Sequence, residues 1–516
     1  MRKRYYENGN RTDYETPYFI RREQLYVGAI MCLLYPEEPL YLERLQDVIW
    51  AVCDEYSWLL PAHTFNEFEH IDRIALFSSE TAAALTEICR FLGDRLDKAV
   101  TDRAEKLIDE RIIKLFDEKT ADWEDLTMNW SAVCGNCVAT VLMYLRPDLF
   151  DKYEDRFLKI MECFLSGYPE DGCCMEGVSY WQYGFGSFTY FADNLYRYTN
   201  GRINLFENKK VKEIAEYGQK IMLHGCNTVS FADSDRDALY HGAFVDILHR
   251  KYPDEVIEYP TKRKVYFVGE EDRWFDFSRG FLYDDIDAPD KEPETGEYYF
   301  KEAAQLIVNK PKYSFAIKAG NNGEPHNHND VGSFIIADKT GQVLCDIGSG
   351  RYTYEYFCGQ RYDILCCGSQ GHSVPMIDGK CQSPGEEYCG EMSYDPSNNS
   401  AVLRLENAYR LPQLEKLERR FNWNDSEILL EDNFEGTMQT ITERFVSTVK
   451  PEIYDDYVKI GGIILKYSAE GAAVSAEEKK HKMHKASEND IETVYCIDFV
   501  LKSGVKTAKF SFEINA

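Results

Sequence analysis

The stretch EPHNHNDVGSFIIADKTGQVLCDIGSG, residues 324–350, contains two short runs of apolar and β-branched side chains, Ser333 to Ala337 and Val343 to Asp346, separated by turn-forming residues. Runs of this kind read as β-strands. The same texture appears upstream in Ala304 to Val308 and Tyr313 to Lys318. Downstream it recurs in Ala401 to Leu405, Ile428 to Asn433, Val458 to Tyr467 and Val494 to Leu501. Residues 259–516 are therefore expected to form an antiparallel β-sandwich. Within them, Ala469 to Asp490 is crowded with Glu, Lys and His and reads as a solvated loop or hairpin, which gives His481 and His484 little functional weight.

Ahead of Pro260 the apolar period is helical. Leu25, Ile30, Leu33 and Leu34 mark one helix, and Leu45, Val48, Ile49 and Val52 the next. Further helices are legible in Ile74 to Leu92, Lys98 to Phe116, Trp130 to Leu145, Phe157 to Leu165, Trp181 to Tyr198, Val211 to Leu223 and Arg236 to Tyr252. The breaks between them are short, so successive helices should pack antiparallel, giving a helical domain over residues 1–258. A chain of 516 residues is also longer than one core usually serves.

A formal net charge of −29 argues against nucleic acid or an anionic membrane as partner, because long-range repulsion opposes both. A polyanionic substrate would need a local positive site built against that field. No stretch approaches the roughly 20 apolar residues of a membrane-spanning helix. The first residues lack the apolar run of an export signal, so a cytoplasmic protein is expected, with a processed secreted or periplasmic form as the alternative. The 16 cysteines, including the adjacent pairs Cys173-Cys174 and Cys366-Cys367, show no paired CxxC framework and read as reduced thiols.

Several residues could carry chemistry. His326 and His328 stand two apart, which on a strand would turn both rings to one side. With Asp346 and His372 further on, the imidazole and carboxylate donors suit a zinc-type cation. In the helical half, TMNW (127–130) and DGCCMEGVSYWQYGFGSF (171–188) concentrate glycine and aromatic residues, and Tyr180 and Tyr183 would share a helix face. FADSDRDALYHG (231–242) places Asp233, Arg236 and His241 at a helix entrance, where Asp233 reads as an N-cap.

Taken in order, TMNW, DGCCMEGVSYWQYG, PHNHNDVGSFII, VLCDIGSGRYTY and GHSVPMIDG resemble the heparinase II/III-like polysaccharide lyases, over Asn129 to Gly379. The resemblance implies an incomplete α/α toroid followed by an antiparallel β-sandwich. It implies β-elimination on a uronate-containing glycan, leaving a 4,5-unsaturated uronate end. Asn129 would neutralise the uronate carboxylate; Tyr180 or Tyr183, with Tyr180 preferred, would move the proton; and His326 would be the second catalytic group. His328, Asp346 and His372 would hold a divalent metal, zinc by its ligand types, in a structural role. Trp130, Glu176, Trp181, Arg236, His241 and Tyr352 are the expected substrate contacts. Trp130 stands where several relatives carry histidine, so a base from that loop is not expected.

In the implied chemistry, neighbouring positive charge would lower the tyrosine pKa so that it accepts the C5 proton and returns it to the leaving oxygen. Within enzymes the rival reading is a glycoside hydrolase on an α/α scaffold, with Glu176 and Asp233 as its two carboxylates. A non-catalytic carbohydrate-binding protein is the third. A homodimer is a fair expectation for the assembly.

Overall fold

The structure, a computed structural model, describes residues 2–64, 72–225, 227–238, 240–256, 273–283, 292–468, 472–483, 491–501 and 503–515. Its first half is helical. Leu76–Leu92 packs on Asn129–Leu145, which in turn packs on Pro147–Ser166. The first two of these are buried nearly all round and form the inner layer. Small residues make that possible: a Cβ at Gly135 would lie 2.9 Å from the Met161 methyl. Thr12–Leu34, Pro39–Cys53, Lys98–Ile108, Gly186–Tyr198 and Lys209–Lys220 surround them.

Two expectations shift here. The last helix of the expected set begins at Gly242, not Arg236, and Asp233 caps nothing; the N-cap position is His241, whose side chain makes no capping bond. A helix beyond the expected boundary, Trp274–Tyr283, also packs with the helical half. Trp274 Nε1 donates to Glu87 Oε2 at 2.6 Å and Arg279 Nη2 donates to Glu87 Oε1 at 2.8 Å. The junction of residues 258 and 259 itself lies outside the described residues.

The second half is antiparallel β-structure throughout. A five-stranded sheet has the order Gly296–Phe300, Gln305–Lys310, Tyr313–Lys318, Phe334–Asp338, Gly341–Leu344. A nine-stranded sheet faces it, with Glu427–Gly436 flanked by Leu414–Trp423 and Thr507–Ile514. A four-stranded sheet is built on Ile491–Leu501 and Ile441–Ser447. Phe334 joins all three: its ring lies 5.4 Å from Phe421, 5.6 Å from Phe445 and 5.7 Å from Phe512.

The five-stranded sheet is covered on both sides. Leu306, Val308, Phe315 and Ile317 point into the sandwich, whereas Ile307, Ala316 and Ile335 belong to the helical core. Burial on both faces is why Leu306-Ile307-Val308, Phe315-Ala316-Ile317 and Phe334 to Ala337 read as continuous apolar runs, not alternating ones. Ala473–Lys482 is a strand paired with Ile491–Leu501. His481 on it is buried, with Nε2 3.3 Å from the Ser349 carbonyl, so the solvated reading fails at that residue. His484 lies outside the described residues. No helix among the described residues is long and apolar enough to cross a membrane.

Candidate active site

Five side chains from two stretches of chain, 326–328 and 352–361, converge on the buried carboxylate of Asp233. His326 reaches Oδ2 through Nδ1 at 2.9 Å, and His328 reaches Oδ1 through Nε2 at 3.0 Å. Tyr352 donates to Oδ2 at 3.1 Å, Tyr356 donates to Oδ1, and Arg361 Nη2 donates to Oδ2 at 3.3 Å. Burial would raise this carboxyl, but the hydrogen bonds from His326 and His328 hold it well below the usual carboxylate range. Tyr352 gives its proton to Asp233, so Tyr180 is the donor in the 3.0 Å bond between the two phenols.

The Tyr180 ring lies against that of His326, with centroids 4.0 Å apart and planes 28° apart. The other His326 nitrogen, Nε2, is 3.5 Å from Glu176 Oε2, an oxygen with no hydrogen-bond partner. Burial pushes the Glu176 carboxyl up. The two histidines reach one carboxylate, as their spacing suggested, but not on a strand: residues 323–333 are turns, and His326 adopts φ 54°. Ala232, next to Asp233, has φ 63°. Such left-handed non-glycine residues cost about 1–3 kcal/mol each and cluster at functional sites. Gly177 lets the Glu176 segment close on the Asp233 loop, since at φ 87° its Cβ would fall 1.9 Å from Ser234 Oγ.

Tyr183 goes elsewhere. A π-helical turn, Trp181–Phe185, follows Tyr180, and Tyr183 donates to Glu80 Oε1 at 2.8 Å with Arg273 over its ring at 5.5 Å. Arg273 also lies over Phe77, on which His63 stacks, and His63 is 5.0 Å from Trp130. Burial, then Arg11, Arg73 and Arg273, push His63 down to about 3. Three arginines thus gather around His63, and Arg73 lies over Trp130, each also paired with a carboxylate: Arg11 with Glu15, Arg73 with Asp122 and Arg273 with Glu80. Asn129 opens the helix behind it, buried, with Oδ1 unpartnered.

The tyrosine environment reverses one expectation. Burial and the Asp233 charge push the Tyr180 phenol up, and burial with Glu80 does the same at Tyr183. Neither is poised as a phenolate; each is a neutral phenol able to donate.

Three expected substrate contacts fall away from this cluster. Trp181 is fully buried and donates to the Ile214 carbonyl at 2.9 Å, so it serves the core. Arg236 is engaged by Glu492 and, at 3.2 Å, by Thr448 Oγ1. His241 sits 3.9 Å from Asp276, and its backbone N–H donates to Gln182 Oε1. The sequence reading missed Tyr356, Arg361, Glu80, Arg273 and His63. Among 36 tyrosines nothing in the sequence marks Tyr356, and the others are brought in only by tertiary packing.

The expected metal donors fit a cation. His328, Asp346 and His372 are buried, with one donor atom of each within 4.8 Å of the others. His372 Nε2 donates to the Cys366 carbonyl at 2.7 Å, so Nδ1 faces Asp346 Oδ2 at 3.0 Å. Two such acceptors require a proton or a cation between them. His328 Nδ1 is buried without a partner. Burial opposes charge on this ring, but Asp233 and Cys367 beside it push it up to about 10, a proton that a cation would displace.

No family model matches the sequence, and no curated protein matches it. Solved structures do. A heparinase III matches with TM-score 0.67 at 13% identity, over 99% of this chain and 78% of that one. A mutant of heparan sulfate lyase HepC from Pedobacter heparinus matches with TM-score 0.63 at 13% identity, over 96% and 76%. The Streptomyces coelicolor A3 chondroitin AC lyase, solved with chondroitin sulphate, matches with TM-score 0.57 at 10% identity, over 97% and 74%. At these identities the likeness defines the fold. The chain is built as the heparinase-type lyases are, with a helical toroid followed by an antiparallel β-sandwich.

Proposed function

We propose that this chain is a polysaccharide lyase that cleaves a uronate-containing glycan by β-elimination. The observation that carries the reading is the stacked pair Tyr180 and His326, anchored to Asp233 on a fold shared with glycosaminoglycan lyases. His326 donates Nδ1–H to Asp233, which leaves the lone pair of Nε2 to serve as the base for the C5 proton. As Nε2 gains that proton, the partnerless Glu176 Oε2 is in place to accept the new N–H. Tyr180, a protonated phenol, gives its proton to the leaving glycosidic oxygen, which replaces Tyr352 as its acceptor. Asn129, whose buried Oδ1 has no partner, lies on the helix where it would neutralise the uronate carboxylate through its amide N–H.

Because the two rings lie against one another, removal and delivery of the proton come from one side of the sugar. That favours syn elimination, and therefore uronates whose C5 hydrogen and C4 oxygen share a face, as in glucuronate, over iduronate. A metal at His328, Asp346 and His372 would hold together the three β-domain loops that carry them. Its chemistry when bound is that of a structural cross-link.

The hydrolase reading is disfavoured by Asp233 itself. All five of its hydrogen bonds come from protein groups and its side chain is unexposed, so it has no free lone pair for water or a sugar. The test is incubation with glucuronate and iduronate glycans, following ultraviolet absorbance of the new C4=C5 bond and reducing ends together. Both signals rising, on glucuronate first, supports the lyase. Reducing ends alone mean hydrolysis, and silence across the panel means binding without chemistry.

A further inference from the structure

Cys366 and Cys367 lie beside the histidines, and no step above uses them. Both thiols are fully buried, and with His328 they form a second set of donors within 4.8 Å of one another. Their sulfurs are 3.8 Å apart. Two metal–thiolate bonds of about 2.3 Å at the tetrahedral angle span about 3.8 Å, whereas a disulfide would need about 2.05 Å. The pair is held in place by its backbone: Asn329 N–H donates to the Cys367 carbonyl at 2.8 Å, and His372 Nε2 donates to that of Cys366. Gly350 leaves room for the sulfur, since a Cβ there would meet Cys366 Sγ at 2.5 Å.

The independent sign of a ligand is His328. Asp233 occupies Nε2, and Nδ1 is buried with no hydrogen-bond partner. A carboxylate on one imidazole nitrogen and a bare second nitrogen is the arrangement that orients a histidine toward a metal.

We propose that Cys366 and Cys367, with His328, form a thiolate site for a soft divalent cation of the zinc type. His328 has one free nitrogen, so a cation uses it either with Asp346 and His372 or with the two sulfurs. The sulfur position makes the centre selective for zinc or cadmium over magnesium, calcium or manganese. On binding, the protons carried by the two sulfurs and by His328 Nδ1 pass to solvent, and metal–sulfur and metal–nitrogen bonds take their place.

The test uses the whole chain loaded with Co²⁺. Wild type should show intense thiolate-to-cobalt charge-transfer absorption in the near ultraviolet. Cys366→Ser/Cys367→Ser should lose it, and Asp346→Asn should keep it. Zinc X-ray absorption on the wild type, which does not depend on any variant folding, should find two sulfur neighbours at about 2.3 Å. No charge-transfer band, a band that survives in the double variant, a zinc shell of nitrogen and oxygen only, or a wild-type mass two hydrogens low, the sign of a Cys366–Cys367 disulfide, would each overturn the proposal.

Discussion

Tyr180 and His326 lie ring on ring, 4.0 Å between centroids, and each is tied to the same carboxylate, His326 directly and Tyr180 through Tyr352. Tyr180→Phe keeps the stack and deletes the donor. It should lower kcat on the best uronate substrate by about 10²–10⁴-fold with little change in Tm. Tyr183→Phe, whose hydroxyl serves Glu80, should keep most of the activity. The reverse ranking would reassign the acid.

Arg419 is fully buried between Asp432 and Glu443, and Nη1 donates to the carbonyls of Gly332 and Ser373 at 2.9 Å each. It therefore clamps the loops that follow His328 and His372. Arg419→Met leaves the buried Asp432 and Glu443 carboxyl groups without their cation and should cost about 3–5 kcal/mol, read by urea unfolding. A loss under 1 kcal/mol would mean that the loops stand without it.

Glu297 accepts from Trp423 Nε1 at 3.0 Å, from Lys310 Nζ at 2.9 Å and from Tyr394. Burial would raise its carboxyl, but these bonds, led by Tyr394, hold it below the ordinary value. Its contribution is then full above the unfolded-state pKa and is lost as pH falls through the lower folded value. Tm should drop less steeply on acidification below about pH 4.5 in Glu297→Gln than in wild type. Parallel acid limbs would show that the contact does not titrate with folding.

If a metal braces the loops, chelation should lower Tm and added zinc should restore it, with a shift that grows with free metal. Asp346→Asn should weaken that response while leaving Tyr180 chemistry measurable. Activity lost at unchanged Tm would instead place the metal in the reaction.

The halves and most elements were legible because period follows burial geometry: helices with one buried stripe and strands with apolar runs both announce themselves. Tyr313 to Lys318 matched to the residue. The candidate site was legible where its residues cluster in sequence, at 176–180 and 326–328. It was not where one side chain serves several partners. Asp233 looked like a cap because one acidic residue ahead of a helix carries no record of five donors arriving from elsewhere. Trp181 looked like a sugar contact because an aromatic residue beside a candidate tyrosine gives no sign of which way its ring turns.

The five-stranded sheet, with one face in each core, is a party wall. Neither half owns it, so cutting the chain between the helical and β portions would bare an apolar surface on both pieces. The molecule should unfold in one cooperative transition despite its two architectures, and separately expressed halves should be insoluble unless they are refolded together.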